Sequence, residues 1–423
     1  MTLDQAGRKS LRHQPFLLEP RRAELQSAVA VLIRQRHLTS STRRVSLPGY
    51  SPDVKYPCSF VTVANVLVLE PWYRGSHRSW IEGWQLHSRH AIRVVAGNDS
   101  GWRRSLVTAP ARFAQAIDET TEPIDLLVAS TPIDLATVLG LIDRSTRRPP
   151  TLLYMHESQI GYPPGPKGGQ PYRAMVADLN SVMSADNVAV ATQYHADLLR
   201  NKMPAFAEEL VEGSGNNVQT TLDNLHVLPI GIDLSGLHPA PLSGPTRVLW
   251  NHRWSHDKNP GEFVHAIALL AAEEYEFELY ALGEVERAGE KAYQRLKDQL
   301  SDRILISGVQ KSDAYRQILC HSDVVVSTTN HEFFGVAIAE AIGAGARPLL
   351  PDRLAYPEIV PGNLSSEFLY RGPLEGALRR VLSKPRDQLH MHRQETRDHI
   401  STFGWETVAP KYDSVLDDLL ATA

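Results

Sequence analysis

The chain runs to 423 residues, of which 42% are hydrophobic and 22% charged, with a formal net charge of −4. That length exceeds one ordinary core, and that composition excludes disordered, fibrous and generally basic nucleic-acid-binding classes, so two globular domains are expected. No apolar run approaches the roughly 20 residues of a membrane helix, and the distant Cys58 and Cys320 form neither a disulfide framework nor a metal cluster, which suits a reducing cytoplasm.

Charge is unevenly spread. Residues 1–60 carry ten Lys/Arg against four Asp/Glu, and RRAELQSAVAVLIRQRHL has the period of a basic amphipathic helix. Residues 1–63 are expected to be a poorly ordered basic extension, with a basic arm that holds a polyanion as the alternative. The stretch has no apolar core of a secretory signal.

From residue 64 short apolar runs alternate with helical stretches. ANVLVLE, IDLLVA, TLLYMH, NVAVAT and HVLPI read as strands of one half, and RVLWNHR, FELYAL, ILISG, DVVVST and RPLLP as strands of the other. Runs of four to six apolar residues with little alternation suit parallel strands buried on both faces, and the helices between them point to βαβ units. Residues 231–246, GIDLSGLHPAPLSGPT, are rich in Gly, Pro and Ser and read as the linker. The expected fold class is α/β, with Rossmann-like doubly wound domains at 64–235 and 245–400 facing a cleft. Residues 401–423 should form a helix, with Val408, Tyr412, Val415, Leu416 and Leu419 as its apolar face, either crossing back to the first domain or packing on its own.

Ligands of such sheets bind beyond the carboxyl ends of the strands, and three segments there carry chemistry. In TTNHEFFGVAIAEAIG, a helix over Phe334–Gly343 would aim its free amides and dipole at an anion. Gly335 would allow close approach to the backbone, Glu332 would accept from sugar hydroxyls, and Glu340 would reach a ribose. Eight helical residues rise about 12 Å, beyond the roughly 5 Å of a retaining hydrolase pair, so binding roles fit the two glutamates better than hydrolysis. In LWNHRWSHDKNPGEF, Arg253 and Lys258 precede a helix starting near Pro260 and would neutralise a departing diphosphate. In the first half, LEPWYRGSHRSW places Gly75, Ser76 and His77 in a loop, and LLYMHESQIGYPP places His156 and Glu157 at a strand end. There is no Asp-x-Asp pair to hold a metal–diphosphate complex and no GxxxxGK[ST] loop, so no metal is expected and the cations would do that work.

These segments together resemble the tRNA-queuosine α-mannosyltransferase family, retaining GT-B glycosyltransferases similar to family 4. The resemblance spans about residues 64–365, on LEPWYRGSHRSW, MHESQIGYP, LWNHRWSHDKNP and HEFFGVAIAEAIGAGARPLLPDRLAYPE in the family's order. It implies GDP-mannose as donor, no cofactor, and the queuosine base at the anticodon wobble position of aspartate tRNA as acceptor. It further implies a cytoplasmic enzyme without a membrane span. By the same resemblance Glu332 would hold mannose hydroxyls and Glu340 the guanosine ribose. Arg253 and Lys258 would hold the diphosphate, with Phe334 and Gly335 beside the donor. Gly75, Ser76 and His77 would meet the donor phosphates or the acceptor hydroxyl. His156 and Glu157 would flank the reacting sugar. Trp102, Arg103 and Arg104 follow the family's Trp- and Arg-rich stretch and are candidate acceptor contacts. Ser158 stands where the family usually has Asn, and Thr131 where it tends to have Asp. A lipid, glycan or small-metabolite acceptor is the alternative, and a non-catalytic nucleotide-sugar or tRNA binder is the reading from another class.

Overall fold

The computed structural model describes residues 63–97, 101–162, 171–241 and 243–422. All but the last residue of the basic extension expected at 1–63 lies outside them.

Asn65–Glu70 (β1), Ala91–Ala96 (β2), Leu126–Ser130 (β3), Thr151–Met155 (β4), Asn187–Val190 (β5) and His226–Val227 (β6) form a parallel sheet in the order β2-β1-β3-β4-β5-β6. Successive side chains of a strand face opposite ways, and here both faces are covered. Val66 and Val68 enter one core cluster, while Leu67 and Leu69 enter the other. A second parallel sheet has the order β12-β11-β10-β7-β8-β9, built from Thr246–Trp250 (β7), Phe277–Leu282 (β8), Ile304–Gly308 (β9), Val324–Val326 (β10), Arg347–Pro351 (β11) and Leu369–Tyr370 (β12).

In each sheet the winding reverses once, between β1 and β3 in the first and between β7 and β10 in the second. Such reversals open a crevice at the carboxyl ends of the two strands. Two strands escaped the sequence reading. AIRVVA (β2) is a partly exposed edge with Arg93 at its centre, and β12 is only two residues long.

The helices that position the site are Gly75–His87 (α1) after β1, Trp102–Asp118 (α2) after β2, Gln193–Leu210 (α3) after β5, Pro260–Ala272 (α4) after β7 and Val336–Gly343 (α5) after β10. The last starts two residues later than the expected Phe334. Gly335 has φ 96°, a left-handed conformation, and forms the N-cap, so no right-handed turn can include it.

The C-terminal helix, Trp405–Thr422, packs on α1 of the first sheet. Trp80 Nε1 donates to Tyr412 Oη (3.1 Å), while Ser88 Oγ and Arg89 N donate to the Asp413 carboxylate (2.6 and 2.9 Å). The segment before it stays on the second sheet's layer, where Arg397 Nε donates to the Gly343 carbonyl at 2.9 Å. At the crossing, the Trp405 indole lies against Gly83 and Gly231. A Cβ on either would fall 2.0 or 2.2 Å from the ring.

Candidate active site

Because β7 and β10 are neighbours, the segments that leave them are forced together. The Asp257 carbonyl accepts from Asn330 N (2.8 Å) and Thr329 Oγ1 (3.0 Å), and the Lys258 carbonyl accepts from Thr328 Oγ1 (2.9 Å). Arg353 braces the same loop, donating to the Thr328 and Thr329 carbonyls at 3.0 to 3.2 Å. This stitching sets Lys258 Nζ 3.1 Å from Glu332 Oε2 and 3.4 Å from Asp257 Oδ2, with a further bond to the His331 carbonyl at 2.9 Å. Burial pushes the Glu332 carboxyl up, but Lys258, His252 and the Phe334 amide outweigh it and hold it below its ordinary value. Burial likewise pulls Lys258 down, and Glu332 and Asp257 more than reverse it. Next to this pair His252 is buried and pushed down to about 3, chiefly by burial and then by Lys258, so it stays neutral.

Arg253 donates to Glu286 Oε1 (2.7 Å) and lies 3.8 Å from Asp257 Oδ2, with its side chain half exposed. The two expected cations are therefore both present and already balanced by Asp257, Glu286 and Glu332. Sequence reading missed Asp257 and Glu286. Asp257 adjoins Lys258 in sequence, yet only the 3₁₀ turn His256–Lys258 turns both carboxylate and ammonium to one place.

Glu340 does not join that pair. Its carboxylate accepts from Tyr315 Oη (2.9 Å), and burial raises its pKa. Asn251 links the two ends of the site, donating to the Ala337 carbonyl at 2.8 Å and lying 3.4 Å from Tyr315 Oη. Phe334 is buried against Phe403 (5.4 Å), so its side chain belongs to the core and only its backbone borders the loop. Gly335 is held by its backbone conformation and by close neighbours. A Cβ there would lie 3.2 Å from Ile359 Cδ1 and 3.3 Å from Tyr356 Cε1. Gly335→Ala is expected to cost about 1–2 kcal/mol from the left-handed backbone alone, read as a lowered midpoint in urea unfolding.

The first crevice is built from β1, β3 and β4. Glu70 ends β1 and is fully buried, accepting from Trp72 N (2.7 Å), Ser130 Oγ (2.7 Å) and His77 Nδ1 (3.1 Å to either oxygen). The His77 ring lies 4.1 Å from that of His156, which also contacts Trp80 and Tyr154 at 4.6 and 4.8 Å. Burial, then His77 and His195, push His156 well below its usual range, so it is neutral. The turn carrying His156 and Glu157 is fixed by Thr131, whose Oγ1 accepts from His156 N at 3.1 Å. Ser158 Oγ and Gln159 N both donate to buried Asp178 (3.0 and 2.7 Å), whose carboxyl burial pushes up to about 7. Gly75 and Ser76 are exposed at the start of α1.

The two crevices meet. Thr192 Oγ1 donates to the Phe333 carbonyl (2.8 Å), the His195 ring stacks on Phe333 (3.9 Å) and the Tyr162 ring contacts His331 (3.9 Å). Glu358 caps α3 from the other layer, accepting from Gln193 N (2.9 Å) and Tyr194 N (2.7 Å). Glu157 feels Arg253 and Lys258 as well as His77, although burial is the larger influence and raises its pKa. The structure thus brings His77, His156 and Glu157 to the same cleft as Arg253, Lys258 and Glu332. It leaves Trp102, Arg103 and Arg104 in the first turn of α2, where Arg104 is exposed. Glu70 carried one readable signal, a charge closing the otherwise apolar run NVLVLE. Tyr315 carried none, and Arg353 and Glu358 lie in a segment that carried the resemblance without being singled out.

Two doubly wound sheets with their crevices facing each other have the GT-B architecture, and the matches that follow make the chain a glycosyltransferase, here a hexosyltransferase. The pattern of group 1 glycosyl transferases matches residues 240–397, and the pattern described as tRNA-queuosine alpha-mannosyltransferase N-terminal matches residues 65–232. By these matches the first-sheet domain is that of the tRNA-queuosine alpha-mannosyltransferases and the second that of the group 1 glycosyl transferases. The tRNA-queuosine alpha-mannosyltransferase of Drosophila melanogaster is 26% identical over 384 residues, covering 84% of this chain and 97% of its own. A GDP-mannose:cellobiosyl-diphosphopolyprenol alpha-mannosyltransferase of Xanthomonas oryzae is 22% identical over 205 residues, covering 46% and 53%. Among solved structures, sucrose-phosphate synthase of Thermosynechococcus elongatus aligns with a TM-score of 0.67 at 15% identity, over 85% of this chain and 100% of its own. A Rickettsia africae glycosyltransferase aligns at 0.60 and 14%, over 85% and 100%.

Proposed function

We propose that this hexosyltransferase moves mannose from GDP-mannose to the queuosine base at the wobble position of aspartate tRNA, with retention of configuration. The observation that carries the acceptor is the match of residues 65–232, the whole first-sheet domain, to the tRNA-queuosine family. The donor is supported by the mannosyl activity in the names of both relatives, one of which also names GDP-mannose.

In this reading Lys258 and Arg253 receive the diphosphate, and their charge stabilises GDP as it departs. The missing Asp-x-Asp pair fits a transfer without a metal. Glu332, kept ionised by Lys258, accepts from the sugar hydroxyls, while Glu340, oriented by Tyr315, accepts from the ribose. Neutral His156 lies by the reacting carbon, and the acceptor hydroxyl attacks from the face that GDP leaves, so no carboxylate nucleophile is needed. Glu332→Ala is expected to lower turnover at least about tenfold, the worth of roughly 1.4 kcal/mol of transition-state binding. Steady-state rates at saturating donor check this, and an unchanged rate would remove Glu332 from the sugar site.

The deciding experiment is nucleoside mass spectrometry on queuosine-containing tRNA incubated with the enzyme and GDP-mannose, beside tRNA lacking queuosine. One hexose on queuosine alone supports the reading. No hexose, with GDP-mannose still bound, overturns the acceptor and turns the search to lipid acceptors, the class named for the Xanthomonas relative.

A further inference from the structure

We propose that Glu70 is a positioning residue that acts through His77, holding the Nδ1–H edge of the ring so that the opposite Nε2–H edge donates to an anionic oxygen of the donor diphosphate. This rests on the nucleotide-sugar reading above and deepens it.

The geometry of Glu70 is that of a second-layer anchor. Its carboxylate is fully buried at the point where the first sheet reverses its winding, and every approach to it is taken. One oxygen accepts from Trp72 N and the other from Ser130 Oγ, both at 2.7 Å, and His77 Nδ1 sits 3.1 Å from each. A carboxylate on Nδ1 fixes the ring's orientation and favours the imidazolium, in which Nε2 keeps its proton and can donate. The side chain of His77 is 14% exposed, while Glu70 shows nothing to solvent. The edge left to a ligand is therefore that of Nε2, which has no partner among the described residues.

The need for such a donor is set by the opposite wall. Arg253 and Lys258 already face Asp257, Glu286 and Glu332, so the second sheet alone is poor in free positive charge for a diphosphate. His77 supplies it from the first sheet. The groups that face its ring are Glu70 of β1 and, from the turn after β4, His156 and Glu157. Burial lowers the His77 pKa, but Glu70 and then Glu157 outweigh it, and the net direction is upward. His156 is driven the other way, so two touching imidazoles are shifted in opposite directions.

Glu70, His77 and His156 each offer one atom within 4.8 Å of the others, a spacing that also admits a metal ion. The bonds already made by both Glu70 oxygens favour the carboxylate–imidazolium pair. A metal is therefore an outcome of the test.

The test is calorimetric titration of the full-length enzyme with GDP and with GDP-mannose from pH 6 to 8.5. It compares wild type, Glu70→Gln, His77→Asn and the double variant, with metal analysis of each preparation. Glu70→Gln keeps the shape and can still accept from Trp72 N and donate to Ser130, and His77→Asn alters a side chain outside the core, so either variant can be read if the other misfolds. A cation held by a raised pKa binds fully below that pKa and is lost as pH rises through it. Glu70→Gln should therefore move the alkaline decline in affinity to lower pH and weaken binding about tenfold at pH 7.5. His77→Asn should weaken binding about as much and abolish that pH dependence, and Glu70→Gln should add nothing in its background. Additive losses, an unmoved pH profile, or a stoichiometric metal released by Glu70→Gln would overturn the proposal. A wild-type enzyme that binds neither nucleotide would overturn the donor reading itself, and this inference with it.

Discussion

Replacing Lys258 with Ala is expected to abolish useful turnover and to loosen the fold together. Its ammonium is the shared partner of two carboxylates, Glu332 and Asp257, whose side chains are 19% and 10% exposed. Removing one partner of a buried ion pair leaves uncompensated charge and costs about 3–5 kcal/mol. It also withdraws a fixed positive charge from the expected position of the leaving diphosphate, an effect on the order of a hundredfold in turnover. Urea unfolding and initial rates separate the two losses. Adding Glu332→Gln to Lys258→Ala should return part of the stability, because it removes one stranded carboxylate, and none of the activity. If the single variant unfolds like wild type, the Glu332–Lys258 contact is not an ion pair of this strength.

Trp405→Ala is the second large effect, at a residue with no expected chemical role. The indole is 2% exposed and lies flush against Gly83 of α1 and Gly231 of the linker, both too close for a Cβ. Excising such a buried aromatic ring costs about 3–5 kcal/mol. Thermal melts measure it, and Trp405→Phe should recover much of the loss. The same variant should show altered donor affinity without any change to donor-contacting residues, since Trp405 marks where the chain passes from the second layer to the first.

The sequence made the fold legible where burial on both faces leaves an unbroken apolar run, as in NVLVLE, DLLVA and DVVVS. It failed at two of the four edge strands, β2 and β12, while the edges β6 and β9 were read. AIRVVA carries Arg93, whose guanidinium pairs with Glu122 in the structure, and a half-exposed edge has no reason to be uniformly apolar. The candidate site was legible as residue types at strand ends, which is how Glu332, Lys258, Arg253, His156 and His77 could be picked out. Their partners were not. Glu70 and Ser130 are 60 residues apart, Asp257 and Arg253 look like one ordinary charged loop, and Tyr315 belongs to a helix with no motif. Periodicity and spacing describe one segment at a time, whereas these contacts come from the crossing order of strands.

The bond between Trp80 and Tyr412 joins residues 332 positions apart, and this has a consequence for how the protein is made. Trp80, Trp84 and Tyr154 of the first domain complete their packing only against the final helix. At ribosomal speeds of roughly 5–20 residues per second, that helix emerges tens of seconds after its binding surface. During synthesis the first domain therefore waits with an aromatic face uncovered, and the chain as a whole folds less like two beads in series than like a clasp closed by its last link.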